Sequence, residues 1–150
     1  SLDIPVIITI AASFALGAAM QKTGVAAFLA NNIIELGDGR PWLMLILIYI
    51  TVSLLTEIIS NNAAAILVLP IALGITQSLG LNDEPFVFAI MVAGSSSFAT
   101  PLSYQTNLMV YGPGGYTMMD FLKAGIPMNI VVGVTCLTTL LLFWPLEATM

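Results

Sequence analysis

Apolar residues fill four long stretches of this chain, and the polar residues that interrupt them are of two kinds. Short Gly, Pro and Asp punctuation separates the stretches, whereas clusters of Ser, Thr and Asn sit inside two of them. The first stretch covers residues 5–36 and closes at Gly37-Asp38-Gly39-Arg40-Pro41. The second covers 41–79, with Glu57 and Ser60-Asn61-Asn62 near its middle. The third covers 85–111 and contains Thr100-Pro101 and Ser103-Tyr104-Gln105-Thr106-Asn107. The fourth covers 124–146, after Gly112-Pro113-Gly114-Gly115, and ends at Trp144, where an aromatic belt would lie. A spanning helix needs about 20 mostly apolar residues at about 1.5 Å rise each. The fourth stretch is one such span. The first is longer, which predicts a tilt or a kink near Gly17 or Gly24.

The two interrupted stretches carry more information. Two antiparallel full spans would fit residues 41–79, but the break between the apolar legs is only Ser60-Asn61-Asn62, and Pro70 interrupts the second leg. The pattern favours a re-entrant helical hairpin whose tip is held inside the membrane by protein, since backbone leaves a helix at that depth only where protein or a watery cavity satisfies it. In the third stretch, Gly94 and Ser95-Ser96-Ser97 allow close helix approach. Pro101 then removes a backbone donor, and a polar run follows. This predicts a discontinuous helix, broken between about Thr100 and Thr106. The fold class expected is all-α polytopic membrane protein.

Composition sharpens that picture. Only 7% of the 150 residues are charged, against about 25% in soluble domains, so the chain could not cover an aqueous surface. Three basic residues, Lys22, Arg40 and Lys123, give no nucleic-acid footprint and no orientation. Lys22 and Lys123 read as snorkelling anchors. There is no histidine, and the single Cys136 lies in an apolar run, which excludes an internal disulfide and His-dependent catalysis. No nucleophile–base pair is apparent, so an enzyme is not expected. The start, Ser1-Leu2-Asp3-Ile4-Pro5, has neither an initiator Met nor a basic signal-peptide region, which suggests a piece of a longer protein.

Two polar breaks inside two hydrophobic elements can face each other at the bilayer midplane. Helix N-termini after each break present free N–H groups and a partial positive end, suited to an oxyanion held by neutral hydrogen bonds. Released carbonyls and hydroxyls suit Na⁺. Discontinuous helices at a repeat interface are a general design of secondary transporters.

Thr56-Glu57-Ile58-Ile59-Ser60-Asn61-Asn62-Ala63-Ala64-Ala65, followed by Leu69-Pro70-Ile71, resembles the hairpin motif of the divalent anion:sodium symporters, the dicarboxylate, citrate and sulfate carriers. Ser96-Ser97-Phe98-Ala99-Thr100-Pro101 and Asn107 resemble the broken helix of the same half. The run from Pro101 to Asn107 with Tyr111-Gly112-Pro113-Gly114-Gly115-Tyr116 looks like a branch linked to sulfate. The likeness extends to Ala15-Leu16-Gly17-Ala18-Ala19 and Thr23-Gly24-Val25-Ala26.

The resemblance implies the C-terminal half of an inverted-repeat fold in the cell membrane, partnered by an N-terminal half and forming a homodimer. It implies substrate contacts from Ser60, Asn61, Asn62, Tyr104, Gln105, Thr106 and Asn107, and a Na⁺ coupling ion at Thr56, Ser60, Asn61 and Ser103. Asn62 departs from the Thr usual in the family. Ser103-Tyr104-Gln105-Thr106 departs from the Ala-Thr-Pro-Pro of the dicarboxylate branch, which tilts the expectation towards a compact oxyanion such as sulfate.

Glu57 stays open between two roles, a proton relay or a structural partner for backbone near the hairpin tip. The first would belong to an ion antiporter or arsenite-type permease. A membrane scaffold without substrate is the reading from another class, and it predicts no consequence of changing Ser60, Asn61 or Asn107.

Overall fold

A computed structural model describes residues 19, 22–58, 61–101, 104–111 and 113–147. Among them are six helices: α1 Val25–Gly37, α2 Pro41–Thr56, α3 Asn61–Leu79, α4 Asp83–Ser95, α5 Gln105–Tyr111 and α6 Met118–Phe143. The described residues contain no strand beyond an isolated bridge between Leu81 and Glu147. Residues 5–18, 20 and 21 of the first apolar stretch lie outside the described residues.

The helix ends follow local chemistry. After α1 the chain turns through Asp38 (φ 48°) and Gly39 (φ 67°), and Pro41 opens α2 at a position where its missing N–H would be unpaired anyway. Helix α4 is capped by Asn82, whose side chain accepts from the Glu84 N–H at 3.1 Å. The same residue ties down the end of the chain, its N–H reaching Leu146 O at 2.9 Å and its Nδ2 reaching Pro145 O at 3.2 Å. Asn82→Ala is therefore expected to lower stability in detergent by about 1 kcal/mol, the usual effect of a lost N-cap, read as a fall in melting temperature.

Helices α2, α3 and α4 pack on one another around Met44, Leu45, Ile48, Tyr49 and Val52, Val68, Ile71 and Ile75, and Phe86, Ala89, Ile90 and Ala93. Within each helix these residues recur at spacings of three and four, one face of a 3.6-residue repeat. Lipid tails are as apolar as these side chains, so close packing rather than water exclusion holds the bundle. Helix α6 joins where glycine lets it approach. A Cβ on Gly133 would stand 3.0 Å from the Tyr49 ring, and one on Gly125 would collide with the backbone of Phe98. Away from these contacts, α6 exposes Ile126, Ile130, Val131, Val134, Leu142 and Phe143. At its far end the Trp144 indole N–H donates to Glu84 Oε2 at 3.0 Å and the ring packs, tilted, against Phe88.

The lengths are informative. Helix α2 has 16 residues, about 24 Å of rise against about 30 Å of hydrocarbon. Helices α3 and α6, with 19 and 26 residues, are long and apolar enough to cross.

Three boundaries differ from the sequence pattern. Helix α3 runs through Pro70 without interruption. Helix α6 starts at Met118, ahead of the apolar run, because Thr117 and Asp120 form a capping box with both reciprocal bonds made. The broken helix ends at Ser95, five residues before Thr100, because side chains from other elements take over the backbone groups that a continuing helix would pair.

Candidate functional site

The end of α2 and the start of α3 meet the C-terminal end of α4. Thr56, fully buried at the last turn of α2, makes the junction. Its Oγ1 lies 2.7 Å from Asn61 Oδ1 and 3.1 Å from Gly94 O. A hydroxyl carries one proton, so it can donate to only one of them. With the Asn61 amide turned to present its NH₂, Thr56 accepts from Asn61 and donates to Gly94, and all three groups are satisfied. Ser97 Oγ donates to Thr56 O at 3.0 Å from the other side. Gly94 itself packs against Asn61 O and Ala65, where a Cβ would find ordinary contact at 3.6 Å.

The break that follows α4 is held by a second group of bonds. Glu57 Oε1 accepts from the Ala99 N–H at 3.0 Å and from Asn129 Nδ2 at 2.7 Å. Thr100 Oγ1 donates to Glu57 O at 2.8 Å. Asn107, in α5, donates through Nδ2 to Ser97 O at 3.0 Å and Thr100 O at 3.1 Å, closing the break across its own span. Pro101 is buried. Backbone groups released from a helix and shielded from water must find such partners, and here Glu57, Asn107, Thr56 and Ser97 provide or take them.

The residues singled out from sequence fall into three groups. Thr56, Asn61 and Asn107 lie in this bonded cluster. Asn62, Tyr104 and Thr106 are exposed, Tyr104 by 50%. Ser60 and Ser103 lie outside the described residues, as does the side chain of Gln105. Of the two roles left open for Glu57, the observed bonds are those of a structural partner for backbone. Sequence reasoning passed over Asn129 and Gly125. Both are legible as small or polar residues four apart in an apolar run, hence on one face of α6.

A cavity of about 910 Å³ lies beyond the break, between α5 and the first turns of α6. Its walls include Phe98, Met109, Val110, Tyr116, Phe121 and Met128, and an apolar lining of this kind offers an oxyanion little. The polar chemistry is at the junction of α2, α3 and α4 instead. There, hydroxyls, carboxamides and backbone carbonyls gather with the N-terminal end of α3 and the C-terminal end of α4.

Two of the described helices are long and apolar enough to cross a membrane, as expected of an integral membrane protein, and similarity to known proteins gives the class. The chain belongs to the citrate transporter family, which matches residues 1–149. It is 41% identical over 145 residues to an uncharacterized transporter of Synechocystis sp., an alignment covering 96% of this chain and 24% of that protein. It is 43% identical over 127 residues to the sodium/sulfate cotransporter 1 of Chlamydomonas reinhardtii, covering 83% of this chain and 14% of that protein. To the human solute carrier family 13 member 4 it is 28% identical over 126 residues, covering 84% of this chain and 20% of that protein. The chain thus spans a quarter or less of the length of these relatives. The family and its relatives are transporters, not enzymes.

Proposed function

We propose that this chain contributes the binding elements of a Na⁺-coupled carrier for a small divalent anion, with sulfate favoured over di- and tricarboxylates. The observation that carries it is the meeting of two interrupted helices at Thr56, Asn61, Gly94 and Ser97. Neutral hydroxyl and carbonyl oxygens beside the C-terminal end of α4 are the donors a Na⁺ takes in unwound transporter helices, and the N-terminal end of α3 supplies N–H groups for an oxyanion. Thr56, Ser60, Asn61 and Ser103 would hold the ion. Ser60, Asn61, Asn62, Tyr104, Gln105, Thr106 and Asn107 would face the anion, the exposed Asn62, Tyr104 and Thr106 being free to reach it.

In this reading α2 and α3 form a re-entrant hairpin, for which the short α2 is suited. The remaining half of the site comes from an inverted N-terminal repeat of the complete transporter, which works as a homodimer. The relatives named as sodium/sulfate cotransporters support the choice of ion and substrate.

Uptake of radiolabelled sulfate into proteoliposomes holding the full-length protein tests it. Sodium-driven uptake is expected, with Asn61→Ala lowering it about tenfold or more, the effect of losing one strong hydrogen bond. Uptake of succinate or citrate without sulfate would overturn the substrate. No sodium dependence with any of the three would overturn symport.

A further inference from the structure

Glu57 is a carboxylate in an apolar helix pair, an arrangement that is costly in a bilayer unless the charge is met by hydrogen bonds. Two N–H donors converge on one of its oxygens, from the Ala99 backbone in the break and from Asn129 in the middle of α6. Asn129 is oriented for this purpose and not for itself. Its Nδ2 serves Glu57, while its own Oδ1 is buried without a partner among the described residues. One turn earlier on the same face, Gly125 lies so close to Phe98 and Ala99 that no side chain fits between them. The face of α6 bearing Gly125 and Asn129 is thus shaped to the break at two successive turns, one contact steric and one a hydrogen bond.

We propose that Asn129 and Glu57 are a positioning pair that holds residues 97–100 beside the turn between α2 and α3, so that the two interrupted helices keep the register in which their polar ends face each other. Glu57 acts in it as a hydrogen-bond acceptor, not as a carrier of protons. The amide is the component of the pair supplied by α6, and through it α6 follows any movement of the binding elements. This inference rests on the transport reading above for its functional consequence, and on the geometry alone for its structural one.

The chemistry separates an acceptor from a charge. The side-chain carbonyl oxygen of a glutamine in place of Glu57 can take the same two donors, whereas a proton relay cannot survive the loss of its carboxyl. In the full-length protein, Glu57→Gln is expected to keep sodium-driven sulfate uptake within about twofold of wild type. Glu57→Ala, Asn129→Leu and Asn129→Asp should each lose about tenfold or more, the effect of a hydrogen bond to a charged group. Asn129→Asp sets two carboxylates against each other, and adding Glu57→Gln in the double variant removes one of the two charges while leaving an acceptor for the Ala99 N–H. Partial recovery of uptake in the double variant is the decisive result, because a residue that merely fills space would not be rescued by its partner.

Melting temperatures of the same series in detergent give a readout that needs no transport. They should fall for Glu57→Ala, Asn129→Leu and Asn129→Asp, and recover in part in the double variant. A Glu57→Gln protein as inactive as Glu57→Ala would overturn the proposal, as would an Asn129→Asp protein equal to wild type or a double variant no better than Asn129→Asp. A wild-type protein with no sodium-driven uptake of sulfate, succinate or citrate would overturn the proposed function, while the melting series would still decide whether the pair holds the break.

Discussion

Replacing Gly125 with leucine is expected to abolish transport and to lower the stability of the purified protein by about 3 kcal/mol, at the upper end of what overpacking costs. The first atom of any side chain there would overlap the carbonyl carbon and oxygen of Phe98 and stand 2.5 Å from Ala99 Cα. All three are backbone atoms, and they belong to the segment fixed by Glu57, Thr100 and Asn107. A flexible side chain could swing away, but this backbone cannot move without giving up its hydrogen bonds. Even Gly125→Ala should therefore be severe. Two other glycines provide the scale. At Gly133 the obstacle is the edge of the Tyr49 ring at 3.0 Å, which can tilt, and alanine there should have an intermediate effect. At Gly74 nothing stands within 4 Å, and alanine should leave melting temperature and uptake unchanged. Melting curves and uptake for the three alanine variants test the order, and a tolerated Gly125→Ala would show that α6 does not press on the break.

Thr56→Val is expected to have the next largest effect, and to act on ion binding more than on folding. Valine matches threonine in shape, so the buried packing at the end of α2 survives while the hydroxyl between Asn61 and Gly94 is lost. The buried groups left without their partner set the stability cost at about 1–3 kcal/mol. The lower part of that range is expected, because hydrogen bonds between membrane helices average only about 0.6 kcal/mol. If Thr56 holds Na⁺ as proposed, the ion loses a direct oxygen ligand together with the positioning of Gly94 O, and the sodium concentration for half-maximal uptake should rise about tenfold or more. Uptake measured against a series of sodium concentrations checks this. An unchanged sodium dependence would remove Thr56 from the ion's surroundings.

Thr56 lies at the end of α2 and Gly125 packs against the segment that follows α4, and the polar clusters there were the most legible features of the chain. Ser60-Asn61-Asn62 and the run from Ser103 to Asn107 are conspicuous because clustered amides and hydroxyls cannot be left against lipid. Their apolar flanks fixed the helices on either side. The start of α6 was less visible, since Thr117 and Asp120 cap it from outside the apolar run. The true end of α4 was hidden for a different reason. Ser95, Ser96 and Ser97 read as small residues for helix packing, and Ser95 and Ser96 do bond back to Met91 O and Val92 O in their own helix. What stops the helix there is supplied from elsewhere: the Thr56 hydroxyl at Gly94 O and the Glu57 carboxylate at the Ala99 N–H. Sequence can show that Glu57 needs partners, but not which ones. Asn129 is one polar residue in an apolar helix, and only the packing of α6 brings the two together.

The bond between Glu57 and Asn129 joins residues 72 apart. On a chain synthesised from its N-terminus at about 5–20 residues per second, Asn129 is added roughly 4 to 14 s after Glu57. For that interval the carboxylate is already made and its α6 amide is not, so whatever receives the nascent α2 and α3 must accommodate an acidic side chain whose final neighbour has yet to be translated. The bonds that hold the break from Thr56, Thr100 and Asn107 can therefore form before the one supplied by α6, which comes last.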